Sequence, residues 1–157
     1  MSRYLEKVES DLKDVIRKKN VGVVGCFKGV CKEDFSILTG IESNFYEKQF
    51  ETAKLFLHWK TDFYAYLPAL VYENPEQRIK DFIERLIELN KNLPLRVEML
   101  IIKEFPGAVI NIKQREKEGR SMPVTDQKMI FDLWYNKILP KYYSKELLGK
   151  FCCEVPL

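Results

Sequence analysis

The segment "NPEQRIKDFIERLIELNKNL", residues 74–93, most constrains the fold, because it carries the marks of one amphipathic helix. Asn74 followed by Pro75 is typical of a helix N-terminus. The apolar residues that follow recur at helical spacing on one face: Ile79, Phe82, Ile83, Leu86 and Ile87. Apolar and β-branched runs at 62–73 and 95–105 flank this helix, and each predicts a strand. Pro68 in the first run predicts an edge position or a bulge.

Weaker patterns complete the order of elements. Further helices are predicted at 2–19, 43–60, 125–138 and 144–151, with Ser2, Ser43 and Thr125 as caps. Further strands are predicted at 21–27 (buried), at 35–41, and at 109–114 across a hairpin turn at Pro106-Gly107. The order α-β-β-α-β-α-β-β-α-α predicts an α+β fold in which helices cover a mixed sheet of about five strands. The length of 157 residues predicts a single domain, residues 1–157.

Composition limits the classes of function. The chain is 46% hydrophobic and 31% charged, which excludes a disordered chain and is typical of proteins that work at high temperature. The net charge is only +3, so a surface for nucleic acid has to be a local patch. No apolar run reaches membrane-spanning length and the acidic N-terminus is unlike a signal peptide, so we expect an intracellular, cytoplasmic protein without a membrane partner. The four cysteines are expected to be small buried thiols, with a Cys26–Cys152 or Cys31–Cys153 disulfide left open.

The segment "RKKNVGVVGCFKGVCKEDFSILTG", residues 17–40, resembles the start of nucleotidyltransferases of the polymerase-beta superfamily. In that family a helix leads to a strand that ends in Gly-Ser, and an Asp-hydrophobic-Asp strand follows. Gly25-Cys26 or Lys28-Gly29 stands where Gly-Ser belongs, and Asp34 stands at the first carboxylate. The second carboxylate is replaced by Ser36. The resemblance implies backbone amides that approach phosphates and carboxylates that hold magnesium.

The family's third carboxylate lies on a later strand, and Glu98 in "RVEMLIIKE" is the matching candidate. A carboxylate on an apolar strand face is costly unless it binds a metal or pairs with a cation. Asp34 and Glu98 together are therefore the predicted site for Mg²⁺ or Mn²⁺. The alternatives are that Glu98 pairs with Arg96 or Lys113, and that Asp34 caps its own turn.

Glu84 and Glu88, four residues apart on the predicted long helix, are second-tier catalytic candidates. They lie opposite the apolar face, so the alternative is an ordinary solvated helix face.

Two basic segments are candidates for contact with nucleic acid. The first carries Lys113, Arg115, Lys117 and Arg120 at the end of the predicted hairpin. The second, "WYNKILPKYYSKELLGK" (134–150), interleaves lysines, Lys141 among them, with aromatic residues, a pattern that suits backbone contact with base stacking. The alternatives are a solvated loop and a core helix.

Length, composition and the degenerate motif together resemble the small nucleases of filamentous viruses that infect hyperthermophilic archaea, which implies cleavage of DNA in the host cytoplasm. The leading hypothesis is therefore a metal-dependent nuclease acting on double-stranded DNA. Asp34 and Glu98 would hold the metal, and Lys103 would stabilise charge in the transition state. The second hypothesis is a non-catalytic domain that binds DNA or protein. The third is nucleotidyl transfer, against which Ser36 argues.

Overall fold

The computed structural model describes residues 11–16, 21–102 and 126–157. Within these ranges the sheet has three strands, β1 (Gly22–Cys26), β2 (Asp62–Pro68) and β3 (Val97–Leu100). They run parallel in the order β1-β2-β3, with Val24 paired to Tyr64 and Tyr66 paired to Glu98. The described sheet is thus parallel and has fewer strands than the mixed sheet of about five that the sequence predicted. The predicted hairpin partner at 109–114 lies outside the described residues.

Helices account for most of the remaining described chain. They are α1 (11–16), α2 (Lys32–Thr39), α3 (Glu47–His58), α4 (Pro75–Leu89), α5 (Gln127–Asp132) and α6 (Lys145–Leu148). A π-helical turn (Leu133–Ile138) and a 3₁₀ turn (Leu139–Lys141) extend α5, and further 3₁₀ turns lie at Ser43–Tyr46, Leu93–Arg96 and Cys152–Glu154. The prediction of helices combined with a sheet is confirmed, and α4 occupies the segment that carried the clearest pattern.

The predicted strand at 35–41 is wrong, because α2 covers most of that segment. Cys31 caps the helix: its sulfur accepts a hydrogen bond from the backbone N–H of Asp34. Gly40 ends the helix in the left-handed conformation (φ 72°) that favours glycine at this position. These two end signals outweigh the β-branched residues Ile37 and Thr39, whose propensity is a weak influence.

The helices pack on one face of the sheet. Phe63, Ala65 and Leu67 of β2 point into the same core cluster as the apolar side of α4. The alternate residues of the strands point to the opposite face, where Val24 is 49% exposed and Tyr64 and Tyr66 are partly exposed. β1 is therefore only half-buried, where a buried strand was predicted. Pro68 ends β2, the central strand of the described sheet. The edge position predicted for this proline is therefore wrong.

Among the described helices, none combines the length and the apolar character needed to cross a membrane.

Candidate functional site

Asp34 lies in the first turn of α2 and is fully buried. Its Oδ1 accepts a 3.0 Å hydrogen bond from Nη1 of Arg78 on α4, and a 3.4 Å bond from the backbone N–H of Tyr72. The same Arg78 nitrogen lies 3.0 Å from the Cys31 sulfur. Asp34 therefore joins three segments of the chain, which is a structural role.

Burial raises the pKa of the Asp34 carboxyl, and the Tyr72 N–H, Cys31 and Arg78 only partly offset this rise. Its second oxygen, Oδ2, has no hydrogen-bond partner although it is buried. Magnesium usually keeps several water ligands, so it needs a carboxylate that is open to solvent. A side chain with 0% exposure and a bound guanidinium does not meet that need.

The glycines of the motif face protein atoms rather than open space. A Cβ on Gly25 would lie 2.9 Å from the Phe63 ring, and one on Gly29 would lie 2.6 Å from the backbone nitrogen of Phe35. Gly29 has φ 140°, which favours glycine, and these short distances show that the loop after β1 folds directly against the first turn of α2. Two acids, Glu33 and Asp34, occupy that turn. The geometry gives no support to phosphate binding at this loop.

Glu98 lies on β3 with its side chain on the open face of the sheet, in register with Tyr66. It contacts Cys152: burial and the hydrogen bond to Glu98 raise the pKa of the Cys152 thiol to about 11. Arg96, the predicted partner of Glu98, instead binds the carboxylate of Asp62. The other predicted partner, Lys113, lies outside the described residues.

The structure does not bring Asp34 and Glu98 together, which corrects the predicted metal pair. Asp34 is bound to α4, on the covered face of the sheet, whereas Glu98 is on the open face of the far edge strand. The error arose because a strand was predicted where α2 forms, and the helix turns Asp34 inward. Across the described ranges, no group of three or more His, Cys, Asp or Glu side chains is placed to hold a metal ion.

The second-tier candidates Glu84 and Glu88 are both exposed on α4, as the alternative of a solvated face predicted. Glu84 accepts a 2.9 Å hydrogen bond from the hydroxyl of Tyr142, and lies 3.9 Å from the Lys80 ammonium. Lys103 and the basic set Lys113, Arg115, Lys117 and Arg120 lie outside the described residues.

Lys141 lines a groove between the start of α4 and the helical segment 127–141. Three lysines converge on this groove: Lys80, Lys137 and Lys141. One acid, Glu76, lies among the lining residues, and the groove volume is about 700 Å³. We call this feature the lysine groove. It brings together cations from two segments that are distant in sequence.

Each lysine of the groove has an acidic neighbour on its rim. Lys137 lies 3.3 Å from Asp132, Lys141 lies 3.7 Å from Glu76, and Lys80 lies 3.9 Å from Glu84. All six side chains are at least 44% exposed. Exposed pairs of this kind are worth about 0–1 kcal/mol, so an incoming anion can displace the acids.

The N-terminus of α4 forms one end of the groove. Asn74 is the capping residue, but its side chain makes no capping hydrogen bond, and it has the left-handed φ of 44°. The first turn of a 15-residue helix presents N–H groups and a partial positive charge, which favour a negatively charged group.

The aromatic half of the predicted basic-aromatic segment is mostly core. Trp134 and Tyr143 are buried, and the Tyr135 hydroxyl accepts a hydrogen bond from the N–H of Met99. Of the aromatic residues in 134–150, Tyr142 lines the groove. The alternative of a core helix is therefore correct for the aromatic residues, whereas Lys137 and Lys141 line the groove. Sequence reasoning missed Lys80, since no spacing pattern links it to 137 and 141.

Comparison with known proteins finds no match among protein-family models, curated sequences or solved structures.

Proposed function

We propose that this chain is a non-catalytic nucleic-acid-binding domain, and that the lysine groove holds the phosphodiester backbone. The observation that carries the proposal is the convergence of Lys80, Lys137 and Lys141 on one groove at the start of α4. Cations with flexible stems follow a phosphate backbone, and they release counterions when they bind it.

The groove favours a single strand over a duplex. It lies between the start of α4 and the segment 127–141. The bases of a single strand are free to stack on protein side chains, whereas the bases of a duplex are stacked on one another. Tyr142 and the apolar side chains of Met129 and Leu133 lie beside the lysines, where bases can stack or pack. This revises the expected partner from double-stranded DNA to a single strand.

The absence of catalysis rests on the two predicted metal ligands. Asp34 is buried against Arg78, and Glu98 lies on the other face of the sheet. The positions of these two carboxylates therefore do not support a shared metal site, which the nuclease hypothesis requires.

Fluorescence anisotropy with a labelled single-stranded oligonucleotide, over a series of salt concentrations, tests the proposal. Three phosphate contacts predict a slope of about −2 when log affinity is plotted against log salt concentration. The double variant Lys137→Gln with Lys141→Gln keeps one of these contacts, so its slope should be about −0.7. The matched control is Lys54→Gln with Lys91→Gln, which removes the same charge from exposed lysines that do not line the groove. Its slope should equal that of the wild type.

Three results would contradict the proposal. Equal slopes for the two double variants would show that binding depends on net charge and not on the groove. Tighter binding of a duplex than of a single strand would contradict the proposed substrate. Cleavage of either DNA in the presence of Mg²⁺ or Mn²⁺ would contradict the non-catalytic assignment, and cleavage lost in Glu98→Gln would restore the nuclease hypothesis.

A further inference from the structure

A second cavity lies between β1, α2 and α3. Its volume is about 330 Å³. Five phenylalanines line it, Phe27, Phe35, Phe45, Phe56 and Phe63, and the rings of Phe56 and Phe63 stack with centroids 5.6 Å apart. We call it the aromatic cavity. Its residues are separate from those of the lysine groove.

Two small residues, Gly25 and Ala53, line the cavity beside Phe63. A Cβ on Gly25 would lie 2.9 Å from the Phe63 ring. Any side chain at position 25 would have to displace that ring. The glycine that resembled part of a phosphate-binding motif therefore helps to shape an apolar site instead.

The polar side chains at the cavity are already engaged within the chain. The Gln49 amide accepts from the Lys28 N–H and donates to the Tyr46 carbonyl. The Thr52 hydroxyl donates to the Lys48 carbonyl, and the Lys48 ammonium lies 2.6 Å from Glu51. Among the described residues, none of the buried polar atoms without a partner belongs to this cavity. A ligand is therefore not needed to satisfy a polar group here.

The mouth of the cavity is apolar and open to water. Phe45 is 50% exposed and Ile41 is 48% exposed. Covering such side chains with an apolar ligand is favourable at about 25 cal/mol per Å². Edge-on and offset contacts with the ring faces add a further preference for an aromatic ligand.

We infer that the aromatic cavity binds an uncharged planar aromatic molecule of about two fused rings. The size follows from the volume, because an apolar cavity of roughly 150 Å³ accepts one benzene ring and this one is about twice as large. The lack of charge follows from the lining, which is apolar except for Lys48, Gln49 and Thr52, because a charged group would lose much of its hydration there. The class is therefore that of a naphthalene-sized aromatic compound, and this assignment does not depend on the lysine groove.

Titration with prodan, an uncharged naphthalene fluorophore, tests the inference. We expect saturable binding with a blue shift of the emission, and competition by naphthalene. Thr52→Phe, on the exposed side of α3, should weaken binding about tenfold or more, because its ring fills the cavity. Lys54→Phe adds the same ring to the same helix outside the cavity, and it should bind prodan like the wild type.

The inference is overturned if wild-type binding does not saturate, if the two phenylalanine variants bind equally, or if naphthalene-2-sulfonate binds more tightly than naphthalene.

Discussion

Arg78 binds Asp34 across 44 positions of sequence, with 3.0 Å between Nη1 and Oδ1. The carboxylate is fully buried, while the guanidinium keeps 18% of its side chain exposed and also contacts Glu73 at 3.3 Å. The two partners are therefore unequal. The carboxylate depends on the guanidinium, whereas the guanidinium has another acid and some solvent.

This inequality predicts unequal effects of removing each partner. Arg78→Met should lower the free energy of unfolding by about 3 kcal/mol or more, because it leaves a buried carboxylate without its cation. Asp34→Asn should cost clearly less, because the amide can still accept from Arg78 and the Tyr72 N–H. Urea denaturation of both variants measures the difference. An Asp34→Asn variant as unstable as Arg78→Met would contradict the structural role assigned here.

The raised pKa of Asp34 predicts the sign of a pH effect. A carboxyl whose pKa is higher in the folded state favours folding fully below its unfolded pKa, near 3.8, and loses that contribution as pH rises through the folded pKa. Arg78→Met should raise the folded pKa further, so its stability deficit should shrink as the solution is acidified. Denaturation at a series of pH values between about 4 and 7 measures this change. A deficit that grows on acidification would show that Arg78 does not lower the pKa of Asp34.

The backbone conformation and close packing at Gly29 predict that only glycine is tolerated at this position. Gly29→Ala should destabilise the fold by about 2 kcal/mol or more, because φ is 140° and the new Cβ would lie 2.6 Å from the Phe35 nitrogen. Gly149→Ala is the matched control, since φ is −83° there and the closest atom would lie at 3.4 Å. Its change should stay within about 0.5 kcal/mol. Thermal unfolding of both variants compares them, and equal effects would mean that the loop does not close on α2 as described.

The contact between Glu98 and Cys152 predicts a slow reaction of the Cys152 thiol. Burial, and after it Glu98, raise the pKa of Cys152 to about 11, so this thiol should react slowly near neutral pH. Glu98→Gln removes the negative charge and should speed alkylation of Cys152 severalfold, since one pKa unit changes the thiolate fraction about tenfold. Cys153 serves as the internal control in the same mass-spectrometric assay. An unchanged alkylation rate at Cys152 would show that Glu98 does not raise the pKa of this thiol.

The cysteines also correct an expectation from the sequence. All four are free in the structure, so neither the Cys26–Cys152 nor the Cys31–Cys153 disulfide is present. Cys26 and Cys153 are exposed rather than buried. Cys31 instead caps α2, an unusual role that residue type alone does not signal.

Some of the fold was readable from the sequence because its signals are local. Helix α4 has a proline at its start and four buried apolar residues at helical spacing, so its predicted and observed ranges agree closely. Helix α2 was missed because it is short and its cap is a cysteine. That single error moved Asp34 from the core to a turn, and the predicted metal pair followed from it.

The remaining features depend on contacts between distant segments. Parallel strands pair across intervening helices, so neither the order β1-β2-β3 nor the central place of Pro68 can be read from a local pattern. The lysine groove combines position 80 with positions 137 and 141, and only packing brings them together. The sequence placed Lys137, Lys141 and Tyr142 in one candidate segment for nucleic-acid contact, but it did not indicate that Lys80 lies beside them.

The most direct test of the central claim is an amide NMR titration of the protein with a short single-stranded oligonucleotide. We predict that the largest shifts occur at 74–80 and at 129–142, the residues around the lysine groove, and that Asp34 and Glu98 shift little with or without Mg²⁺. Shifts centred on β3 and α2, and enhanced by the metal, would show instead that the carboxylates form the working site.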